Sequence, residues 1–554
     1  MMRPRLHGTD GIRGRIEAFD GDDVEALKAL IERRVLSNRS MRIIGEATGL
    51  FLVDDVGDSP LVMLGWDRRD GNAALVDALE SGVCASGWRT LRIGEVPTPG
   101  LHHAVLASAA DAGMMVTASH NPATDSGVKF FDSEGYKSMP EIEDRISSLA
   151  WDLADGSRAA PQENSESLEA IDGLSLYRSA LKNRLQVFES LFNVDFETVD
   201  WGSVVPPQGL ILDCSGGAST EWLADGLRRH GLEASEVSSR LDPINQNCGA
   251  GDFSPTANWS IQELLMEVPS HRLLWTVAQH LEINDGMAFW EPGQIIAAAL
   301  DGDGDRCLLI EGTLEGLKIV DGDQMCDDIM RAAIAVNPDS WKMAASIESD
   351  LGLSADLPRL GEHIAVTTAV GDRWLSAALW PDTNRRMLES QHHPRAIGTV
   401  DSGHFVMPTP HPNRDGVWGL VGDGAATLLA ALLARVSMGG RGVKPAFQSG
   451  WKKRISIRPS VRERWTGQNE LAELVQSTAE EWCGIDLDRI QVEGEPALLL
   501  MGGLLSNLPI SIAVRNSGTE AKTSISIRFA TGIEADGAEL MALLEATLAP
   551  HLSP

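Results

Sequence analysis

Residues 301–306 read Asp-Gly-Asp-Gly-Asp-Arg and place three carboxylates at alternate positions. The glycines between them allow the backbone to curl tightly, so the carboxylate oxygens can converge on one hard cation. A solvated acidic turn and a calcium loop of EF-hand type are the alternatives. An EF-hand loop carries glycine at its sixth position and glutamate at its twelfth, where this loop has Arg306 and Gly312. The pattern therefore favours magnesium beside a phosphoryl group, because the metal and Arg306 can share the charge.

Two further segments carry hydroxyl and basic groups that suit phosphate chemistry. Residues 117–122 read Thr-Ala-Ser-His-Asn-Pro, and Gly-Val-Lys follows at 127–129. These residue types are also common in ordinary turns, where their side chains bond the local backbone. Residues 515–520 read Arg-Asn-Ser-Gly-Thr-Glu, in which an arginine fork, two hydroxyls and an exposed glycine backbone could cradle a phosphate. A surface turn with a solvated arginine is the alternative for this segment.

The elements around these segments follow an α/β pattern. Short apolar runs alternate with predicted helices at about 73–85 and 101–110. In a largely parallel sheet, ligands gather at loops beyond the carboxyl ends of the strands, and residues 117–122 occupy such a position. Apolar runs at 295–300 and 307–310 predict two buried strands on either side of the acidic loop.

The chain is long enough for several domains. Its 554 residues exceed the size at which one hydrophobic core stops growing. The predicted fold class is α/β, with three tandem α/β domains that have mixed sheets, followed by a smaller C-terminal α+β domain whose pattern is strand, helix, strand, strand. The predicted domains are 1–156 with the serine loop, 157–315 with the acidic loop, 316–444, and 445–554 with the phosphate cradle.

Composition excludes several classes of function. A formal net charge of −32 opposes nonspecific binding to nucleic acid or to an anionic membrane surface. No apolar run reaches the roughly 18 residues of a membrane span, and the amino terminus lacks the apolar region of a secretion signal. The six cysteines form no Cys-x-x-Cys pair, so neither a zinc site nor a disulfide framework is indicated. We expect a cytoplasmic protein.

Taken together, the motifs resemble those of one family, the α-D-phosphohexomutases. The amino-terminal motif Gly-Thr-Asp-Gly-Ile-Arg-Gly at 8–14 joins the serine loop, the acidic loop and the phosphate cradle in the family's order. These hallmarks span the whole chain. Smaller matches include Gly-Trp-Asp-Arg-Arg at 65–69 and Ser-Gly-His at 402–404. The combination is far more specific than any one motif.

The resemblance implies four domains around a central cleft and an isomerase that interconverts hexose 6-phosphate and hexose 1-phosphate. Segments 127–131, 135–137 and 320–324 are most similar to the phosphoglucosamine mutase branch, which implies glucosamine phosphates as substrates and a role in amino-sugar nucleotide biosynthesis. Ser119 would be stored as a phosphoserine primed by a hexose 1,6-bisphosphate, and a bisphosphate intermediate would turn around in the cleft. Small-molecule sugar phosphates are the expected partners, and a homodimer is compatible with the resemblance.

The family's motif positions imply roles for individual residues of this chain. The expected magnesium ligands are Ser119, Asp301, Asp303 and Asp305. The expected catalytic residues are Ser119, Arg13, His120, Lys129, Arg306 and His404. The expected substrate-binding residues are Asp401, Ser402 and His404. The expected phosphate-binding residues are Arg515, Asn516, Ser517, Gly518 and Thr519.

Three positions depart from the family's pattern. Val400 stands where the sugar-reading loop usually carries glutamate, so Asp401 is expected to take over the hydroxyl contact. Ser126 replaces an asparagine, and Ser524 replaces a second arginine that commonly follows the cradle. These departures leave phosphomannomutase or phosphoglucomutase activity open, as well as a catalytically weak sugar-phosphate binding protein. A metal-dependent phosphatase would use the same groups but release phosphate to water.

Overall fold

The computed structural model describes residues 3–8, 10–55, 61–157, 168–267, 269–440, 447–495, 497–517 and 521–553. These residues form four β-sheets, each packed against helices. Three mixed sheets come first, and an antiparallel sheet follows. The predicted fold class is confirmed, and the predicted domain boundaries stay a prediction.

The first sheet positions the serine loop. Its elements are β1 (Ile12–Ile16), α1 (Asp23–Arg33), β2 (Val35–Leu36), α2 (Asn38–Asp55), β3 (Leu61–Trp66), α3 (Asn72–Ala85), β4 (Arg89–Glu95), α4 (Thr98–Ser108), β5 (Ala112–Val116), β6 (Asp125–Asp132) and α5 (Pro140–Ala154). The strand order is β2-β1-β6-β5-β3-β4, with β3 parallel to β4 and β5. Strand β5 contains only apolar residues and glycine and is buried throughout, so its carboxyl end delivers the serine loop from a fixed position.

The second sheet positions the acidic loop. Its elements are α6 (Gly173–Phe192), β7 (Leu210–Asp213), α7 (Trp222–Arg229), β8 (Ala234–Glu236), β9 (Asn258–Ser260), α8 (Ile261–Met266), α9 (Arg272–Ile283), β10 (Ile295–Leu300), β11 (Cys307–Gly312) and β12 (Gly316–Val320). The strand order is β8-β7-β10-β11-β12-β9. Strands β10 and β11 are antiparallel and buried along their whole length, as expected. The acidic loop is the connection between them.

The third sheet carries the loop that ends at His404. Its elements are α10 (Gly322–Val336), β13 (Lys342–Ser346), α11 (Leu351–Ala355), β14 (Ile364–Thr368), α12 (Asp372–Leu379), β15 (Leu388–Glu389), β16 (Ala396–Thr399), β17 (Phe405–Pro410), β18 (Val417–Gly422) and α13 (Gly424–Ser437). The strand order is β14-β13-β16-β17-β18-β15. The antiparallel pair β16 and β17 encloses residues 400–404.

The fourth sheet is antiparallel. Its elements are β19 (Trp451–Ile457), α14 (Glu470–Cys483), β20 (Asp488–Arg489), β21 (Leu499–Leu505), β22 (Leu508–Asn516), β23 (Thr523–Phe529) and α15 (Gly537–Leu552). The strand order is β19-β23-β22-β21-β20. Strand β22 ends at the start of the phosphate cradle, and Ser524 on β23 pairs laterally with Arg515.

One apolar core extends across the second and third sheets. Leu212 and Ala298 of the second sheet belong to the same cluster as Phe405 and Met407 of the third. Because helices α6, α10 and α13 also contribute to this cluster, the acidic loop and the 400–404 loop are fixed on one packed unit. All six cysteines are buried and free. Among the residues described, no helix is both long enough and apolar enough to cross a membrane.

Candidate active site

Ser119 occupies a strained position in the loop that follows β5. Its φ of 52° lies in the left-handed region, which residues with a side chain seldom adopt. Its carbonyl oxygen accepts hydrogen bonds from Arg69 Nη2 at 2.6 Å and from Asn245 Nδ2 at 2.7 Å. Its backbone N–H donates to Thr117 Oγ1 at 2.9 Å. The surroundings therefore hold this backbone in place and fix the direction of the hydroxyl.

The acidic loop meets the serine side chain. Ser119 Oγ donates a hydrogen bond of 2.6 Å to Asp301 Oδ2. Lys129 Nζ donates to Asp303 Oδ2 at 2.8 Å and to Asp305 Oδ2 at 3.1 Å. All three aspartates and Ser119 are fully buried. The structure thus brings five of the sequence-predicted residues into one cluster.

A network of lysines and carboxylates surrounds the acidic loop. Lys129 Nζ lies 3.1 Å from Asp10 Oδ2, and Lys137 Nζ lies 2.7 Å from Asp372 Oδ2 and 3.2 Å from Asp305 Oδ2. Burial alone would lower the pKa of Lys129, but Asp10 and the loop aspartates hold it well above its usual value. Lys129 is therefore a permanent cation against the acidic loop.

The acidic loop has the donor set of a divalent cation site. Ligand atoms of Asp301, Asp305 and His404 all lie within 4.8 Å of one another. Among the described residues, Asp303 Oδ1 is buried without a hydrogen-bond partner. Burial, with repulsion from Asp303 and Asp305, raises the pKa of Asp301 to about 8. Clustered carboxylate oxygens and the unsatisfied lone pair of Asp303 fit magnesium, which prefers oxygen ligands. The close group contains the predicted Asp301 and Asp305 together with His404, but not the predicted Asp303.

Arg306 and two histidines lie beside the aspartates. Arg306 Nε donates to His404 Nε2 at 2.8 Å, and His404 Nε2 also lies 2.9 Å from Asp305 Oδ1. A single imidazole nitrogen cannot accept from Arg306 and donate to Asp305 together, so the tautomer of His404 decides which contact is a hydrogen bond. The positive charge of Arg306, followed by burial, holds the pKa of His120 well below its ordinary value. His120 is thus a neutral imidazole.

Arg13 projects from β1 into the same region. Its guanidinium pairs with Asp10 Oδ2 at 2.7 Å and donates to Asn121 Oδ1 at 3.2 Å. It also donates to the carbonyl of Ala118 at 3.2 Å. Arg13 therefore ties the amino-terminal motif to the serine loop, next to His120.

One cleft draws side chains from all four sheets. The first sheet and its loops supply Asp10, Arg13 and His120 to its wall, and the acidic loop of the second sheet supplies Arg306. The third and fourth sheets supply the remaining lining residues, which are Val370, Gly371, Asp372, Arg373, Val400, Ser402, His404, Arg515, Ser517, Lys522 and Ser524. The cleft therefore joins the serine loop to the start of the phosphate cradle.

Arg515 is held by two glutamates at the fourth-sheet side of the cleft. Its guanidinium donates to Glu348 Oε1 at 2.9 Å and to Glu495 Oε1 at 3.3 Å. Arg454 pairs with the other oxygen of Glu348. Burial alone would raise the pKa of Glu348, but Arg515 and Arg454 hold it at about 2. Glu348 is an anion that orients the guanidinium of Arg515.

The rest of the phosphate cradle is only partly described. Asn516 does not point its amide to the cleft, because Nδ2 donates to the carbonyls of Arg462 and Trp465. Ser517 lines the cleft. The predicted phosphate contacts of Gly518 and Thr519 lie outside the described residues.

The substrate-binding prediction divides between two cavities. Val400, Ser402 and His404 line the four-sheet cleft. The side chain of Asp401 instead lines a neighbouring cavity, where its Oδ2 lies 3.5 Å from Lys452 Nζ. Burial raises the pKa of Asp401 to about 7 even though Lys452 opposes this shift. The structure therefore brings Ser402 and His404 to the cleft but not Asp401.

Several residues of the site were missed by sequence reasoning. Asp10 belongs to the quoted amino-terminal motif, and its carboxylate could have been recognised as a partner for a lysine. Thr98 lies in a Pro-Thr-Pro segment and donates to Asp303 Oδ2 at 2.7 Å. Lys137 belongs to the quoted segment Gly-Tyr-Lys at 135–137, but no role was predicted for it. Glu348 and Asn245 carry no local pattern that separates them from surface residues. Their contacts come from chain segments that only the fold brings together.

The amino-acid sequence is similar to those of several known proteins. The family model described as phosphoglucomutase/phosphomannomutase, alpha/beta/alpha domain I, matches residues 4–155. The chain is 30% identical over 448 residues to a phosphoglucosamine mutase from Streptomyces avermitilis, covering 79% of this chain and 80% of that protein. It is 26% identical over 505 residues to a phosphoglucosamine mutase from Symbiobacterium thermophilum, covering 89% of this chain and 95% of that protein.

Solved structures share the fold over nearly the full length. A phosphoglucomutase/phosphomannomutase family protein from Burkholderia thailandensis has a TM-score of 0.60 at 17% identity, covering 99% of this chain and 98% of that chain. The open form of a Paramecium phosphoglucomutase, parafusin, has a TM-score of 0.60 at 15% identity, covering 98% of this chain and 94% of that chain. The fold of this chain is therefore shared with solved structures.

Proposed function

This chain belongs to the α-D-phosphohexomutases and is a hexose-phosphate mutase, and from that premise we propose that it interconverts glucosamine 6-phosphate and glucosamine 1-phosphate through a phosphoserine at Ser119. The observation that carries the proposal is the buried hydrogen bond from Ser119 Oγ to Asp301 of the acidic loop. The next residue, His120, lines a cleft that reaches Arg515. The relatives named phosphoglucosamine mutase support the choice of sugar. We place the reaction in the cytoplasm, on free sugar phosphates.

Ser119 is the proposed carrier of the phosphoryl group. A serine hydroxyl is a weak nucleophile, so a stored phosphoserine, primed by a hexose 1,6-bisphosphate, removes the need to activate it in each turnover. Its left-handed backbone and the two donors on its carbonyl hold the side chain against the acidic loop. Fixed alignment of donor and acceptor atoms is the main contribution of a protein to phosphoryl transfer.

The acidic loop is the proposed metal site. Ser119, Asp301, Asp303 and Asp305 would hold magnesium, which when bound neutralises negative charge on the transferring phosphoryl group. Lys129 and Lys137 supply fixed positive charge at the loop, and Arg306 extends that charge into the cleft. These cations offset the repulsion between the aspartates and an incoming phosphate.

The acceptor hydroxyl of the sugar must lose a proton as it attacks. His120 and His404 line the cleft, and the neutral state of His120 makes it able to accept a proton. Arg13 lies next to His120 and can orient the sugar. We propose His120 as the base, with His404 and Ser402, which line the same cleft, as sugar contacts.

The phosphate that does not react would be bound at the other end of the cleft. Arg515 and Ser517 line that end, and Arg515 offers a fork suited to two phosphate oxygens. Gly518 and Thr519 complete the proposed cradle. Asn516 holds the segment in place, because its side-chain amide donates to the backbone carbonyls of Arg462 and Trp465. A bisphosphate would turn around between this end and Ser119, while the fourth sheet excludes water from the cleft.

The side chain of Val400 makes the identity of the sugar the first element of the proposal to test. Val400 is buried at the cleft wall, so a carboxylate contact to a sugar hydroxyl or amine is lacking at this position. Glucose and mannose phosphates are therefore the second candidate substrates. The other two alternatives, a weakly catalytic binding protein and a phosphatase, would use the same cleft without isomerisation.

A substrate panel tests the proposal. Purified protein with magnesium and a trace of hexose 1,6-bisphosphate is incubated separately with the 6-phosphates of glucosamine, glucose and mannose, while 1-phosphate and inorganic phosphate are both followed. Fastest formation of glucosamine 1-phosphate supports the proposal. Faster turnover of glucose or mannose phosphate overturns the choice of sugar alone. Release of inorganic phosphate in step with substrate loss, or binding without any isomerisation, overturns the proposed reaction.

A further inference from the structure

A second cavity lies between helices α6 and α7, away from the catalytic cleft. Its volume is about 360 Å³, within the range of small-molecule binding sites. Leu429 of α13 closes one side. The apolar lining consists of Leu181, Leu185, Phe196, Trp222, Leu223, Leu227 and Leu429. None of the residues that line this cavity lines the cleft.

The rim of this cavity is basic in a strongly acidic chain. Arg178, Lys182, Arg229 and His230 belong to the lining, and no aspartate or glutamate among the described residues does. The whole chain contains 79 acidic and 47 basic residues, so a cavity lined by basic residues alone has a charge opposite in sign to that of the whole chain. The rim therefore produces a local positive potential.

Three of these cations are available to a ligand. Arg178, Lys182 and Arg229 are exposed, and within the described part of the chain they form no hydrogen bond and no ion pair within 4 Å. Arg178 lies near enough to Asp172 to contribute weakly to the lowered pKa of that carboxyl. By contrast, His230 Nδ1 lies 3.0 Å from Glu197 Oε1, and Arg228, next to Arg229, pairs with Asp225. Charged side chains without partners around an apolar floor match a ligand with an apolar body and an anionic end.

We propose that the cavity between α6 and α7 is a binding site for an amphipathic organic anion. The apolar body of the ligand packs against Trp222, Phe196 and the leucines, and its carboxylate, sulfonate or phosphate lies between Arg178, Lys182 and Arg229. The indole N–H of Trp222 already donates to the carbonyl of Ala218 at 2.8 Å, so the ring offers its apolar surface to the ligand. The site is distinct from the sugar-phosphate cleft.

Gly226 offers a position for a substitution that would occupy this cavity. Gly226 lies within α7 and lines the cavity, and a Cβ at this position would meet no heavy atom within 4 Å. Gly226→Leu therefore places an apolar side chain where the ligand body would lie. Leucine also favours a helix more than glycine, so the variant is expected to fold.

A fluorescence titration with 1-anilinonaphthalene-8-sulfonate, an aromatic anion, tests the proposal on the full chain. We expect saturable binding that decanoate displaces and decyltrimethylammonium does not. Gly226→Leu should abolish this binding, and Lys182→Glu combined with Arg229→Glu should weaken it by about tenfold or more. Lys28→Glu, an exposed lysine on α1, is the matched control and should leave it unchanged.

Three results would overturn the inference. Unchanged binding in both Gly226→Leu and the double variant places the probe elsewhere. Displacement of the probe by saturating hexose 1,6-bisphosphate places it in the catalytic cleft. A change in the mass measured by light scattering when Gly226 is replaced identifies the surface as a contact between copies of the chain. Mutase activity of Gly226→Leu stays near that of the unmodified protein, whichever sugar proves to be the substrate.

Discussion

Ser119 Oγ donates a 2.6 Å hydrogen bond to Asp301 Oδ2 across a separation of 182 residues in the chain. The contact joins the first sheet to the second. It places the proposed phosphoryl carrier directly against the proposed metal loop, and both residues are fully buried. The proposed chemistry depends on this juxtaposition.

Replacing Ser119 with alanine should abolish mutase turnover, because no other hydroxyl among the described residues donates to the acidic loop at Asp301. We expect a loss of at least about a thousandfold in kcat, with an unchanged circular dichroism spectrum. Ser190→Ala is the control, since the Ser190 hydroxyl bonds only the Gln186 carbonyl of its own helix. Turnover near the unmodified level in Ser119→Ala would contradict the mechanism.

Replacing Lys129 with methionine should destabilise the protein and make its stability depend on magnesium. Lys129 is buried against Asp10, Asp303 and Asp305, and removing one partner of such a cluster costs about 3 kcal/mol or more. The melting temperature in a chelator should fall. Added magnesium should raise the melting temperature of the variant by more than that of the unmodified protein. A ligand of the native state stabilises that state, and the variant has more unbalanced negative charge for the metal to neutralise.

Lys318→Met is the matched control for that measurement. Lys318 pairs with Glu311 on the second sheet at 2.9 Å but is more than a third exposed, so its loss should cost less than about 1 kcal/mol. Equal melting temperatures for the two variants in the chelator would show that Lys129 does not balance the charge of the acidic loop.

Replacing Arg515 with lysine should weaken substrate binding while keeping the charge. The guanidinium fork can meet two phosphate oxygens, whereas an ammonium group meets them one at a time. We expect KM to rise by about tenfold and kcat to change less, as for a group that binds ground state and transition state alike. Arg489 lies on strand β20 of the same sheet and pairs with Glu473 of α14, and Arg489→Lys should not alter KM. An unchanged KM in Arg515→Lys would remove Arg515 from the proposed cradle.

Glu236 should make stability fall as pH rises through neutrality. Burial raises its pKa from 4.5 to about 7, and its Oε2 is buried without a hydrogen-bond partner among the described residues. A carboxyl that holds its proton more tightly when folded favours the native state below its unfolded pKa, and this stability is lost as pH rises through the folded pKa. Above pH 7 the loss should reach about 3 kcal/mol.

Glu236→Gln removes that titration. Calorimetric melting temperatures of the variant and the unmodified protein should agree in acid, near pH 4.5, and the variant should be the more stable above pH 7. Exposed Glu233, on the segment that leads into β8, provides the control substitution Glu233→Gln, for which no pH-dependent difference is expected. A constant difference for Glu236→Gln at every pH would contradict the shifted pKa.

The elements around the site were readable from sequence because each has a clear local period. The helix predicted at about 73–85 is observed at Asn72–Ala85, and the runs on either side of the acidic loop are buried strands Ile295–Leu300 and Cys307–Gly312. Apolar segments bounded by glycine and aspartate leave few alternatives to a buried strand. The positions of the serine and acidic loops followed from these strands.

The contacts within the site could not be predicted from the sequence, because they depend on the direction in which each side chain points from its loop. Asp401 and Ser402 are neighbours in sequence, yet Asp401 faces Lys452 and Ser402 faces the cleft. Glu348 reaches Arg515 across 167 residues, and no local pattern connects the two. Charge partners of this kind are set by the packing of sheets against one another, so only the fold identifies them.

The most direct test of the account is to label the protein with hexose 1,6-bisphosphate that carries radioactive phosphate, and then to add an excess of unlabelled hexose 6-phosphate. The account predicts label on the peptide that contains Ser119, absent from Ser119→Ala, and transfer of that label to the sugar within one turnover. Label that stays on the protein, appears on another residue, or leaves as inorganic phosphate would contradict phosphoryl transfer through Ser119.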